Sequence, residues 1–207
     1  DKIQTTLRDS AAMRWTALLL LSLAMFCAYI FVDILSPIKE LMQEQRGWDS
    51  TAFGTMQGSE TFLNVFVFFL IFAGIILDKM GVRFTAILSG AVMLTGALIK
   101  YYAISDSFAG SALDVWFTDH LNHIPVFEQL GVSPFYEGMP ASAKVAACGF
   151  MIFGCGTEMA GITVSRGIVK WFKGREMALA MGSEMALARL GVATCMIFSP
   201  FFAKLGG

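Results

Sequence analysis

Charge is what this chain has least of. Of its 207 residues only 15% are Asp, Glu, Lys or Arg, where soluble domains carry about 25%. Two long runs, Trp15–Val32 and Leu63–Leu77, hold no charge at all. With 56% hydrophobic residues and a mean hydropathy of +0.65, the composition excludes a soluble globular protein and indicates several membrane spans. The net charge is -1, and no basic face interleaved with aromatics exists. That charge is uninformative about nucleic acid, and without such a face no nucleic-acid partner is expected.

Histidine is scarce too. His120 and His123 are the only two, and both lie outside the apolar runs. Asp33 is the only aspartate well inside such a run. An intramembrane protease needs a serine with a histidine, or two aspartates, at membrane depth, so we read no enzyme here. The two histidines have no third ligand in view and are read as solvated, with no metal or cofactor site. The four cysteines, Cys27, Cys148, Cys155 and Cys195, all sit in apolar runs without a CxxC pair. They read as small packing residues.

What is present is an all-α pattern of about five spans: 15–38, 51–77, 84–104, 144–169 and 177–203. The first is too long for the apolar core of a signal peptide and is read as a retained span. Pro37 ends or kinks it, and Lys39 to Ser50 reads as a polar loop. Between spans three and four, residues 106–143 carry seven acidic or histidine side chains and neither Lys nor Arg. Pro125, Pro134 and Pro140 interrupt them, and Trp116, Phe117, Phe127, Phe135 and Tyr136 suit a bilayer interface. This is an extracytoplasmic excursion with one or two short helices. Lys2, Arg8, Arg14, Lys79, Arg83, Arg166, Lys170, Lys173 and Arg175 gather on one side. Lys39, Arg46, Lys144 and Lys204 fall on the other. The excess places the amino terminus and the 2–3 and 4–5 turns in the cytoplasm, and the last residue, Gly207, outside.

The stretch from Cys148 to Ser199 organises the rest. It reads as a helical hairpin turning at Lys173 and Gly174. Glu158 and Arg189 lie on opposite arms, each about 20 Å from the turn at helical rise. That is somewhat past the middle of an apolar layer about 30 Å thick. Ionisable groups at such depth mark substrate or ion paths. An acid and a base at matched depth suit a small zwitterion, its ammonium on Glu158 and its carboxylate in the fork of Arg189. The alternative is a buried salt bridge that orders the hairpin. Glu184 lies about 140° round the helix from Arg189, and either lines the path or pairs with a neighbouring helix. Tyr29 and Asn64 fall near midplane and either bond a substrate or bond across helices. Asp33 and Glu60 lie nearer the outer edge, as vestibule or interface residues.

Two stretches carry a resemblance. Gly74-Ile-Ile-Leu-Asp78-Lys79-Met-Gly81-Val-Arg83 resembles the loop 2–3 signature of the major facilitator superfamily, and falls between spans two and three. The WFKG turn from Trp171 and the ARLG stretch from Ala188 to Gly191 resemble the dipeptide-transporting branch that contains major facilitator superfamily domain-containing protein 1. The resemblance implies the N-terminal six-helix bundle of a major facilitator fold, an alternating-access carrier working with no cofactor, and dipeptides or amino acids as solutes. It implies that Gly74, Asp78, Lys79, Gly81 and Arg83 gate the conformational change. It also matches Glu158 and Arg189 to the branch's acidic residue in span four and arginine in span five. The implied partners are a small-molecule substrate, the lipid bilayer and a C-terminal half holding spans six to twelve. The implied place is the plasma (cell inner) membrane, with the lysosomal membrane as alternative. Lys144 to Gly156 has no Arg, unlike proton-coupled members, so secondary-active and facilitative transport both stay open. So do organic anions or sugars as solutes, and a non-transporting receptor or assembly subunit of the same fold.

The segregation of basic residues makes the topology testable. With an impermeant thiol reagent, Asp119→Cys should label in intact cells and Lys173→Cys should not. The reverse pattern would overturn the orientation.

Overall fold

The computed structural model describes residues 10–131 and 134–206. Lys2, Arg8 and Gly207, used above for orientation, lie outside the described residues. Among the described residues, nine α-helices and two 3-10 turns make up the fold, with no strand. The helices are α1 (Ala11–Asp33), α2 (Lys39–Arg46), α3 (Ser50–Gly58), α4 (Phe62–Phe66), α5 (Phe69–Ile104), α6 (Ala112–Asp119), α7 (Pro125–Gln129), α8 (Ala141–Phe172) and α9 (Met177–Gly206).

Among the described residues four helical runs, not five, are long and apolar enough to cross a membrane: Ala11–Arg46, Phe69–Ile104, Ala141–Phe172 and Met177–Leu205. The chain is thus a multi-pass membrane protein by length and composition. The difference arises at the expected second span. Residues 51–77 are divided among α3, a 3-10 turn at Ser59–Thr61, α4 and the start of α5. The second interruption falls in Val65-Phe-Val-Phe-Phe69, β-branched and aromatic residues that form helix poorly. Phe68 there takes a left-handed φ of 53°. The turn expected at 78–83 lies inside the α5 run, where Gly81 breaks the helix with φ 80° and ψ 171°, a conformation glycine adopts without steric cost. The loop expected at Lys39–Ser50 is instead largely α2. Its sequence KELMQEQR consists mostly of strong helix formers, and Gly47 in the left-handed region ends it.

Two compact units divide the chain. The first holds the described parts of Asp1–Pro37 and Thr157–Gly207, with Leu70–Gly90. Here α1 packs along α9. Gly191 is in close contact with the Phe26 carbonyl, leaving no room for a Cβ. Ser199 Oγ donates to the Ile34 carbonyl at 2.6 Å. At the other end of α1, buried Arg14 lies 5.5 Å from the Phe172 ring centroid and 3.8 Å from Glu176, and Trp15 meets Phe172 edge-on. The α8–α9 turn is thereby tied to the start of α1.

The second unit holds Ile38–Phe69 and Ala91–Gly156. Glycines set its helix crossings. A Cβ on Gly96 would overlap the backbone of Gly149 and Phe153, and one on Gly154 would overlap the Glu60 carbonyl. Small residues permit such approach in membranes, where apolar burial drives little association. Lys100, 1% exposed, rests its Nζ 3.8 Å from the Phe150 ring centroid.

The excursion holds α6 and α7, and Lys144 and Tyr136 are among the residues that fasten it. Lys144, fully buried, donates from Nζ to the carbonyls of Phe117 at 2.7 Å and His120 at 3.2 Å, and to Asn122 Oδ1 at 2.5 Å. It caps the open carbonyls at the end of α6, as a cation does at a helix C-terminus. The Tyr136 hydroxyl donates to Asp49 Oδ1 at 2.9 Å. Asp49 is held below the usual carboxylate range, first by the Ala52 N–H it caps and then by Tyr136. Tyr136 is pushed up to about 12 by burial and then by Asp49. Ionised Asp49 and neutral Tyr136 are the favoured states. This contribution fades as pH falls through the lowered Asp49 value, or rises past 10 toward about 12.

Lys144→Met should therefore loosen the excursion without dispersing the long helices. Each charge-assisted bond lost costs about 1.5–3 kcal/mol. Limited proteolysis should cut between residues 106 and 140 in the variant well before the wild type. Equal cutting would show the cap to be dispensable.

Candidate functional site

Four of the five residues expected at the substrate site lie in the first unit: Tyr29, Glu158, Glu184 and Arg189. Arg189 is exposed midway along α9, with its guanidinium carbon 6.0 Å from the Tyr29 ring centroid. That distance is within cation–π range. Tyr29, Glu158 and Glu184 are half-buried. Among the described residues, no ion pair within 4 Å joins Glu158 to Arg189 or either to Glu184. The structure thus brings Tyr29 to Arg189, and leaves both glutamates without a cationic partner among the described residues.

The fifth residue, Asn64, belongs to the second unit. It sits on α4, half-buried, and donates from Nδ2 to the Gly154 carbonyl at 3.4 Å. Its Oδ1 is buried with no hydrogen-bond partner among the described residues. A buried acceptor left open is costly, and marks a position that water or a ligand would complete.

The expected gating residues Gly74, Asp78, Lys79, Gly81 and Arg83 lie together on α5 in the first unit. Lys79 and Arg83 are exposed. Asp78 forms a close ion pair with Arg166 of α8. Sequence reasoning counted Arg166 among basic turn residues and missed this pairing, because the two are 88 residues apart and no local spacing links them. It likewise missed Arg14 with Glu176, and the anchoring role of Lys144. In Lys144 the one available signal was a lone lysine among apolar residues at a helix start.

Asp33 accepts from Ser36 Oγ at 3.3 Å, and Glu60 is half-buried on a 3-10 turn beside Gly154. His120 stacks on Trp116 with ring centroids 4.7 Å apart. His123 Nδ1 lies 3.7 Å from Glu128. The chain matches no family model, no curated protein and no solved structure.

The Asp78–Arg166 contact predicts energetic coupling. Asp78→Asn and Arg166→Gln should each lower thermal stability slightly in detergent. The double variant should cost less than their sum, by about 0.2–1 kcal/mol for an exposed pair. Strict additivity would show that the contact is absent in solution.

Proposed function

We propose that this chain is the amino-terminal bundle of an alternating-access carrier of the major facilitator type, moving a small zwitterion such as a dipeptide or amino acid. The observation that carries the reading is Arg189. An arginine exposed midway along an apolar helix cannot face lipid tails without large cost. Its face of α9 is therefore covered by water or by further protein. A polar path at the face of a second bundle meets both conditions, and transporters place substrate sites near the midplane between such halves.

Glu158 and Arg189 supply the two charges. Their lack of mutual pairing favours a site over a structural bridge, because a bridge would draw them together. Tyr29 holds the guanidinium from one side, and Glu184 lines the path. Asn64 offers an open acceptor of its own to a solute or to water. The loop 2–3 residues support the same reading. The backbone turns at Gly81, and Asp78 ties the turn to α8 through Arg166. In this reading α3, α4 and the part of α5 before Gly81 are the second span in pieces. The carrier sits in the plasma membrane, or alternatively the lysosomal membrane, with its amino terminus cytoplasmic.

Uptake into proteoliposomes tests the site. Arg189→Lys should cut dipeptide or amino-acid uptake about as much as Arg189→Ala, by about tenfold or more, because a point charge cannot replace the two-pronged grip. The swap Glu158→Arg with Arg189→Glu should fold and fail to transport. Normal uptake by well-folded Arg189→Ala, or rescue by the swap, would overturn the assignment.

A further inference from the structure

We propose a second, separate site for a single small amino acid within the second unit, between the end of α2 and the start of α6. A cavity of about 210 Å³ lies there, lined in part by Gln45, Arg46, Ala103, Phe108, Asp114 and Ser142. It would hold about seven waters at liquid density, and is smaller than the roughly 300–1,000 Å³ of pockets for larger ligands. A single amino acid fits that size better than a dipeptide.

The lining supplies opposite charges with open valences. Arg46 is half-buried and gives Nη2 to Asp106 Oδ1 at 2.7 Å. Asp106 is 98% exposed, so this pair is weak. The other guanidinium N–H groups meet no acceptor among the described residues. Ser142 accepts from Trp48 Nε1 at 2.8 Å, which leaves its own O–H to donate. A carboxylate between Arg46 and Ser142 satisfies both. Asp114 accepts from the Gly110 N–H through Oδ2 at 2.9 Å, while its Oδ1 has no partner among the described residues. That oxygen suits an ammonium. Buried Phe108 and Ala103 give an apolar floor for the carbon between the two charged ends. Lys144, by capping α6, holds Asp114 in place.

Calorimetric titration of the full chain in detergent, with glycine, acetate and methylammonium, tests the site. Glycine should bind, and acetate and methylammonium should each bind at least tenfold more weakly. On the Arg189→Ala background, which removes the grip of the site proposed on α9, Arg46→Met and Asp114→Asn should each weaken glycine binding tenfold or more. The amide oxygen introduced by Asp114→Asn still accepts from Gly110, so that variant keeps its local fold. Asp106→Asn should not weaken binding. Arg189→Ala should also retain glycine binding, which separates this site from the one proposed on α9. No glycine binding to the wild type would overturn the proposal, as would acetate binding as tightly as glycine. So would glycine binding by Arg189→Ala that survives the addition of both Arg46→Met and Asp114→Asn, or glycine binding that is lost in Arg189→Ala alone.

Discussion

Backbone-to-backbone approach at a few glycines is the constraint on which each unit rests. Helices that share an apolar solvent gain little from hiding apolar side chains from one another. Close packing and polar contacts must supply the difference. Gly96 and Gly149 let α5 and α8 meet backbone to backbone, Gly154 receives the turn at Glu60, and Gly191 receives α1. Each contact leaves no volume for a methyl group. These positions, more than the large apolar residues around them, select which helix faces meet.

Close packing leaves three cations of this chain almost no water, and each is held in a different way. Lys144 uses helix-end carbonyls, Arg14 uses an aromatic face and Glu176, and Lys100 rests on Phe150. All three are nearly inaccessible. Arg189 differs in kind: it touches one ring and is otherwise open. A charge settled among fixed dipoles holds a fold together. One left open at an apolar face is available to something that arrives.

Much of the architecture was legible because it is local. Long apolar runs, the proline-broken excursion and the glycine turn at 81 are all properties of neighbouring residues. The stretch at 51–77, expected as one continuous helix, is interrupted for a reason of the same scale. From Leu63 on it carries no charge, but upstream Ser59 donates to both the Met56 and Ala147 carbonyls, and Val67 and Phe68 break the helix. Hydrophobicity alone does not register a helix that is apolar but discontinuous. At the candidate site, depth along a helix could be counted from the turn, so Glu158 and Arg189 stood out. The partners of Asp78, Arg14 and Lys144 could not be counted, because each depends on which faces of distant helices meet.

The anchors described above also carry an order in time. Each joins an earlier residue to one that leaves the ribosome later. Trp48 waits for Ser142 and Asp49 for Tyr136, 94 and 87 residues downstream. The end of α6 waits for Lys144, and Arg14 waits for Phe172 and Glu176. A helix as short as α6 is marginal by itself. During synthesis, at about 5–20 residues per second, the excursion passes about one to five seconds with its carbonyls uncapped. The emergence of α8 then closes the outstanding contacts of the excursion almost together. The helix that is most enclosed in the finished protein is thus also the one whose arrival lets earlier segments settle.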